Sequence, residues 1–263
     1  MPPFDLRFDL PPYRLSGAVY AALLNHAPQL ASLGDAVNRP PCKAPPQAPV
    51  LAVRPRNTLA LNGATVALPS DAPVVQLGAS LGIVIGRVAC RVPVAQALQW
   101  VAGYTLVNDL CLPHASHYRP ALRFKARDGF CVIGPGVLPA SAFADPDALA
   151  VQIDIDGQLA QATDTAGRLR GVAQLIADVS DFMTLQPGDL LLLGASAAAP
   201  LARPGRQTRR PAGVAFMHCE CVLAVVTGKT ARGVKAADAM AHVAGYTVCN
   251  DRHARGHGQR GRR

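Results

Sequence analysis

Glutamate is all but missing from this chain: among 263 residues Glu220 is the only one. A site built on paired glutamates is therefore excluded. Long apolar runs are lacking too, with no stretch of 18 or more such residues, so no membrane-spanning helix is expected. The opening MPPFDLRFDLPPYRL has prolines and two aspartates where an export leader needs a basic start and an apolar run, so the expected location is cytoplasmic. Cysteine pairing motifs are absent as well. The seven cysteines (Cys42, Cys90, Cys111, Cys131, Cys219, Cys221 and Cys249) form an odd, scattered set without a CxxC spacing. That excludes a disulfide framework and fits reduced thiols. In His218-Cys219-Glu220-Cys221, consecutive strand residues point to opposite faces, so the four do not converge on one soft metal ion.

The net charge of +9 is unevenly placed. Residues 1–202 hold 14 Lys/Arg against 14 Asp, whereas residues 203–263 hold 12 Lys/Arg against only Glu220, Asp238 and Asp251. That basic end lacks interleaved aromatics and any recognition-helix pattern, so nucleic acid is not expected as a partner. Its last stretch, 252–263, is rich in Arg, Gly and His and reads as a solvated, disordered tail. Half of all residues are apolar, enough for a sizeable core over the first 200 or so.

One segment is present twice. VAGYTLVND at 101–109 returns as VAGYTVCND at 243–251, and LGIVIGRVACRV from Leu81 matches LAVVTGKTARGV from Leu223 at the same offset of 142. Solenoid repeats are shorter and more numerous, so this pattern reads as one domain followed by a fragment of a second. The chain divides accordingly into an extension over 1–16, a domain over 17–194, a linker rich in Ala, Pro and Arg over 195–213, a fragment over 214–251 and the tail. Strands are expected at 17–24, within 48–61, at 81–85, 103–107, 150–155 and 190–193, with a hairpin turn at Asp156-Gly157. Helical spacing marks 94–101 and, more strongly, 169–183.

Polar residues gather after the first copy. Asn108-Asp109 closes an apolar strand, and His114, His117, Tyr118, Arg119, Arg123, Lys125, Arg127 and Asp128 follow within twenty residues. Such density of donors beside an apolar core suggests an anion-binding cleft. A solvated charged loop is the alternative.

The ordered set RPRNT, LGIVIGR, VAGYTLVND, RFKARDGFC and DFMTLQPGDLLLLG resembles the fumarylacetoacetate hydrolase superfamily over about 17–194. Within it the chain is most similar to the amino-terminal halves of tandem isomerase/decarboxylases of 4-hydroxyphenylacetate catabolism. The resemblance implies a mixed, β-rich α+β fold with a few flanking helices. It implies an isomerase or decarboxylase acting on an unsaturated 2-oxo dicarboxylate, with Mg²⁺ or Mn²⁺ held by a Glu-x-Glu pair and an Asp. Gly78 and Ser80 stand at the two glutamate positions of the first copy, leaving Asp109; the second copy keeps Glu220 and Asp251. The metal set Asp109, Glu220 and Asp251 is thus degenerate, and metal binding is expected to be weak or absent. By the same resemblance His26 is a catalytic histidine with Gln29 in place of its partner glutamate. Lys125 is a catalytic and substrate-binding lysine, and Arg119 and Arg123 are carboxylate clamps. A homo-oligomer, or pairing with a homologous metal-competent half, is the expected assembly. In the latter case this chain is a catalytically silent structural half.

Overall fold

The computed structural model describes residues 6–7, 14–15, 18–40, 42–67, 74–114, 122–134, 136–155, 158–195, 208–209, 216–227 and 243–254. In chain order, the ribbon β1 (Leu6–Arg7) and β2 (Arg14–Leu15) precedes β3 (Val19–Leu23) and the short helix α1 (Ala27–Ala31). Then come β4 (Val50–Arg54), β5 (Leu59–Leu61), β6 (Thr65–Ala67), β7 (Val74–Val75), β8 (Ala79–Ile85) and β9 (Val101–Asp109). After these lie α2 (Leu122–Lys125), β10 (Cys131–Ile133), β11 (Leu138–Pro139), β12 (Ala150–Ile155), β13 (Gln158–Asp164), α3 (Val172–Phe182) and β14 (Leu190–Leu192). The last described strands are β15 (Thr208–Arg209), β16 (Phe216–Thr227) and β17 (Val243–Ala254).

The central sheet has the order β4-β3-β14-β8-β9-β10-β5, with β11 added to β9. β14 is parallel to β3 and β10 to β5, while β3–β4, β14–β8, β8–β9 and β9–β10 are antiparallel. The two outermost strands, β4 and β5, are separated in sequence by residues 55–58 alone. So short a link obliges the sheet to curl until its edges approach. The result is the mixed, β-rich α+β fold expected from the sequence.

Both faces of the sheet are covered, which explains the uninterrupted apolar runs. Along 190–193 the leucines divide by parity: Leu191 and Leu193 pack with Leu175, Ile176 and Val179 of α3, whereas Leu190 and Leu192 pack with Val19, Val107 and Ile133. β8 does the same, Ile83 and Ile85 facing the α3 side and Val84 the other. α3 presents Val172, Leu175, Ile176 and Val179, the i, i+3, i+4, i+7 stripe of a helix lying on a sheet. It begins at Val172, three residues later than the apolar spacing suggests, because Asp147 Oδ1 accepts from the Val172 N–H at 2.9 Å and caps the first turn from a distant loop. The 94–101 segment is a 3₁₀ helix, Val94–Trp100, in place of an α-helix. Its apolar residues mostly miss the core: Ala97 is buried but Val94 and Leu98 are exposed. The strand after it starts at Val101, two residues early, and the Asp156-Gly157 turn lies outside the described residues.

Some backbone pairing and packing crosses the expected segment boundaries. Leu15 of the extension is buried with the β3 core, and Thr208–Arg209, inside the expected linker, pairs with Val74–Val75. β17 continues past Asp251, Arg252 to Ala254 pairing with Cys219 to Met217, so ordered pairing reaches into the expected tail. Residues 255–263 lie outside the described set.

The two related hairpins share one register. In β8–β9, Leu81 opposes Leu106, and an irregularity between Val84 and Ile85 precedes the Ile85–Val101 pair. In β16–β17, Leu223 opposes Val248, and an irregularity between Val226 and Thr227 precedes the Thr227–Val243 pair. Every one of these positions differs by the sequence offset of 142. β16 also pairs with β6, Met217 opposite Val66. Among the described residues no helix is long and apolar enough to cross a membrane.

Candidate active site

Asp109 ends β9 and is buried, its N–H donating to the Gly78 carbonyl at 2.6 Å. The curl of the sheet brings Arg54, the last residue of β4, to the same point. Arg54 is only 2% exposed, and its Nη2 lies against Asp109 Oδ1 in an ion pair. Its Nη1 donates to the Lys125 carbonyl at 3.3 Å, fastening the end of α2. Lys125 Nζ then stands 3.6 Å from Asp109 Oδ2, so both oxygens of the carboxylate face cations of the protein. Asn57, in the 55–58 link, donates to Asp128 Oδ1 at 2.7 Å and accepts from the Gly129 N–H, holding the loop after α2 against the sheet.

Beside this cluster is a cavity of about 110 Å³, with Asp109, Lys125, Cys111, His114, Gln29 and Gln76 among its polar lining and Leu24 and Leu77 among its apolar lining. Cys111 Sγ donates to the Leu112 carbonyl and lies 3.3 Å from His114 Nδ1. Burial raises the Cys111 thiol above its ordinary pKa, opposed by the nearby Lys125 ammonium. The His114 ring stacks on Phe124 with centroids 5.2 Å apart. Leu24, which also lines the cavity, has φ +54°, a left-handed conformation unusual for a branched residue. It is held by the next residue: Asn25 Nδ2 donates to the Leu193 and Arg170 carbonyls, and its Oδ1 accepts from the Arg170 N–H, each at 2.9 Å.

The sequence-derived residues have different fates. Lys125 and Asp109 meet in the cavity, and Gln29 lines it. His26 does not: it sits beneath the α1 turn, bridged through its backbone to Arg168, with Nδ1 buried and without a hydrogen-bond partner. Its pKa is lowered, by burial first and by Arg168 second, with Asp164 opposing. Arg123 is exposed on α2 and absent from the cavity wall, so the expected clamp is not formed there: α2 turns Lys125 inward and Arg123 outward. Arg119 lies outside the described residues. Glu220 and Asp251 oppose each other in the β16–β17 ladder, the counterpart of Gly78 and Asp109, but their side chains lie outside the described set. Arg54 and Cys111 were not singled out from the sequence. Arg54 stands in the RPRNT motif, where it reads as the polar exit of a strand.

A divalent cation does not fit the first site. Asp109 Oδ1 and Oδ2 already face Arg54 and Lys125. At Gly78 a Cβ would lie 2.6 Å from the Asp109 carbonyl oxygen and 2.9 Å from Ala195 Cβ, so a longer side chain has no room. Ser80 Oγ donates to the Leu81 carbonyl and accepts from the Gly194 N–H at 3.2 Å. Mg²⁺ and Mn²⁺ need several oxygen ligands. Among the described residues no group of three or more His, Cys, Asp or Glu is placed to hold a metal. Asp109, expected as the remaining metal ligand of the first copy, faces two cations of the protein in this structure.

Comparison with known proteins gives a consistent picture. The family described as fumarylacetoacetate (FAA) hydrolase C-terminal matches residues 18–200 and again 197–260. The 4-hydroxyphenylacetate degradation bifunctional isomerase/decarboxylase of Escherichia coli is 32% identical over 312 aligned residues, covering 90% of this chain and 72% of that protein. Since 312 exceeds the 263 residues of this chain, the alignment contains stretches that the relative has and this chain lacks. In structure the chain resembles 5-carboxymethyl-2-hydroxymuconate delta-isomerase from Mycobacterium smegmatis, with a TM-score of 0.59 and 24% identity over 89% of this chain and 78% of that one. It also resembles fumarylpyruvate hydrolase from Pseudomonas aeruginosa, solved with Mn²⁺ and pyruvate, with a TM-score of 0.61 and 22% identity over 95% of both chains.

Proposed function

The chain belongs to the fumarylacetoacetate hydrolase family, and from that premise we propose that it works in aromatic-ring catabolism on an unsaturated 2-oxo dicarboxylate. The substrate class is that of a 2-hydroxyhepta-2,4-diene-1,7-dioate isomerase/decarboxylase. The observation that carries this reading is the small cavity in which Lys125 Nζ stands beside Asp109, with Leu24 and Leu77 among the apolar lining. An ammonium only 13% exposed pairs with a carboxylate better than it would in open water, because its surroundings screen less. The volume of about 110 Å³ is below the roughly 150 Å³ that admits a benzene ring. It therefore suits the 2-oxo carboxylate head, the rest of the acid extending outward. Isomerisation moves a proton between oxygen and carbon, and the His114 imidazole on the wall is a group whose ring nitrogens can take up and hand on that proton.

A second reading is favoured by the crowding at Gly78: this chain is a catalytically silent half that pairs with a metal-competent homologous domain. In either case we assign 17–194 as one domain and 214–251 as a fragment of a second. The two family matches and the common hairpin register support that division. The substrate is followed by its ultraviolet absorbance with the chain alone and with a full-ligand partner. Turnover by the chain alone, lost in Lys125→Ala, supports the first reading; activity only on mixing supports the second. No turnover in either arm overturns both.

A further inference from the structure

We propose that the Arg54 guanidinium takes the place of the divalent cation in this domain, making the cavity a metal-free site for a singly charged carboxylate. The inference builds on the carboxylate-binding reading above, and it goes further in naming what balances the charge. A relative solved with Mn²⁺ and pyruvate shares the fold. In this chain Gly78 and Ser80 stand where the family resemblance implies two glutamates. Gly78 is pressed against the Asp109 carbonyl and cannot carry a longer side chain in place. Ser80 Oγ is committed to Leu81 and Gly194.

What stands at Asp109 is a cation on a rigid strand. Arg54 is nearly inaccessible and grips two things at once, the Asp109 carboxylate and the backbone carbonyl of Lys125. One guanidinium therefore fixes both the acid and the helix end that carries the ammonium. Counting formal charges, Arg54 and Lys125 outweigh Asp109 by one positive charge, and among the described residues the cavity wall holds no other carboxylate. That surplus sits on the Lys125 ammonium, 13% exposed at the cavity wall, and an entering anion would balance it. Arg54 itself stands behind Asp109 and does not line the cavity, so Lys125 is the group an entering carboxylate meets. Arg54 is a positioning residue.

The test uses the full chain in EDTA. Pyruvate binding is followed by ligand-observed NMR, and Mn²⁺ uptake separately by the loss of the free-ion paramagnetic resonance signal. The expected result is pyruvate binding in EDTA that is unchanged by added Mn²⁺. Arg54→Met should weaken it at least tenfold, whereas Arg54→Lys, which keeps the charge, should retain most of it. Mn²⁺ uptake by the unaltered chain that Asp109→Asn abolishes would overturn the proposal, as would pyruvate binding that appears only with Mn²⁺. Uptake that survives Asp109→Asn belongs elsewhere in the chain and leaves this cavity metal-free. If Arg54→Met does not fold, the EDTA and Mn²⁺ arms on the unaltered chain decide alone. If pyruvate does not bind under any condition, the carboxylate reading fails, while the Mn²⁺ arm still judges the role of Arg54.

Discussion

Replacing Arg54 by methionine is the sharpest probe of how the cluster is held together. The side chains of Arg54 and Asp109 are 1% and 3% exposed, so removing the guanidinium leaves a nearly buried carboxylate without its main partner. Breaking a buried pair by deleting one partner costs about 3–5 kcal/mol. Lys125 remains 3.6 Å from the other oxygen and keeps part of the pairing, which argues for the lower end. The lost bond from Nη1 to the Lys125 carbonyl adds about 1 kcal/mol. The net expectation is a loss of about 3–4 kcal/mol in urea unfolding, or about 6–16 °C in Tm for a chain of this size. Asp109→Leu alone strands the arginine, while the double variant Arg54→Met/Asp109→Leu leaves only Lys125, which is 13% exposed and can turn toward water. The double variant should therefore be more stable than the sum of the two losses implies, by about 2 kcal/mol or more in the cycle. A loss under 1 kcal/mol for Arg54→Met, together with additive single effects, would refute the buried-pair account.

Three further outcomes follow from separate features. His26 has its folded pKa lowered, chiefly by burial, so the unfolded chain binds the proton more readily. Its contribution to stability is complete above the ordinary histidine pKa of about 6.5 and is lost as pH falls through the lower folded value. Melting temperatures measured from pH 7 down to 5 should drop more steeply for the native chain than for His26→Gln, and identical slopes would refute this. Among the described cysteines, Cys42 and Cys90 are exposed whereas Cys131 is fully buried with its thiol pKa pushed up, so a thiol reagent read by peptide mass should label the first two before unfolding and Cys131 only after it. Gly78→Ala places a methyl 2.6 Å from the Asp109 carbonyl oxygen, and because that neighbour is backbone it should destabilise the fold by about 1–3 kcal/mol; an unchanged urea midpoint would show that the ladder yields there.

Much of the fold is legible in the sequence because periodicity reports burial. The apolar runs at 81–85 and 190–193 are unbroken since both faces of those strands are covered, and α3 shows its stripe openly. Where the signal misled, a neighbour distant in sequence decided. The start of α3 is set by Asp147, and the 94–100 segment keeps helical spacing while turning Val94 and Leu98 to solvent. The site divides the same way. Asp109 and Lys125 follow one another in the polar stretch after the first hairpin, and both were visible there. Arg54 lies 55 positions before Asp109 and reaches it only because the sheet curls, a closure that no local pattern reveals. Arg123 is two residues from Lys125 on a single turn of helix, and that spacing alone sends the two side chains to different sides.

The loss of the glutamates and the presence of Arg54 are physically linked. The β8–β9 and β16–β17 hairpins share their register down to the irregularity, so backbone pairing alone does not dictate which ligands stand on them. At corresponding rungs one hairpin opposes Gly78 to Asp109 and the other opposes Glu220 to Asp251. In the first, Asp109 is retained although no second carboxylate is there to share a metal. A buried carboxylate left alone costs several kcal/mol, and it persists only if the protein supplies the missing positive charge. Two lysines or arginines can do so only from elements that end at this point. β4 and α2 are those elements, and the 55–58 link and its Asn57 contacts hold them together. Asp109 here faces two cations of the protein, and of those two Lys125 is the one that lines the cavity, where a ligand would meet it.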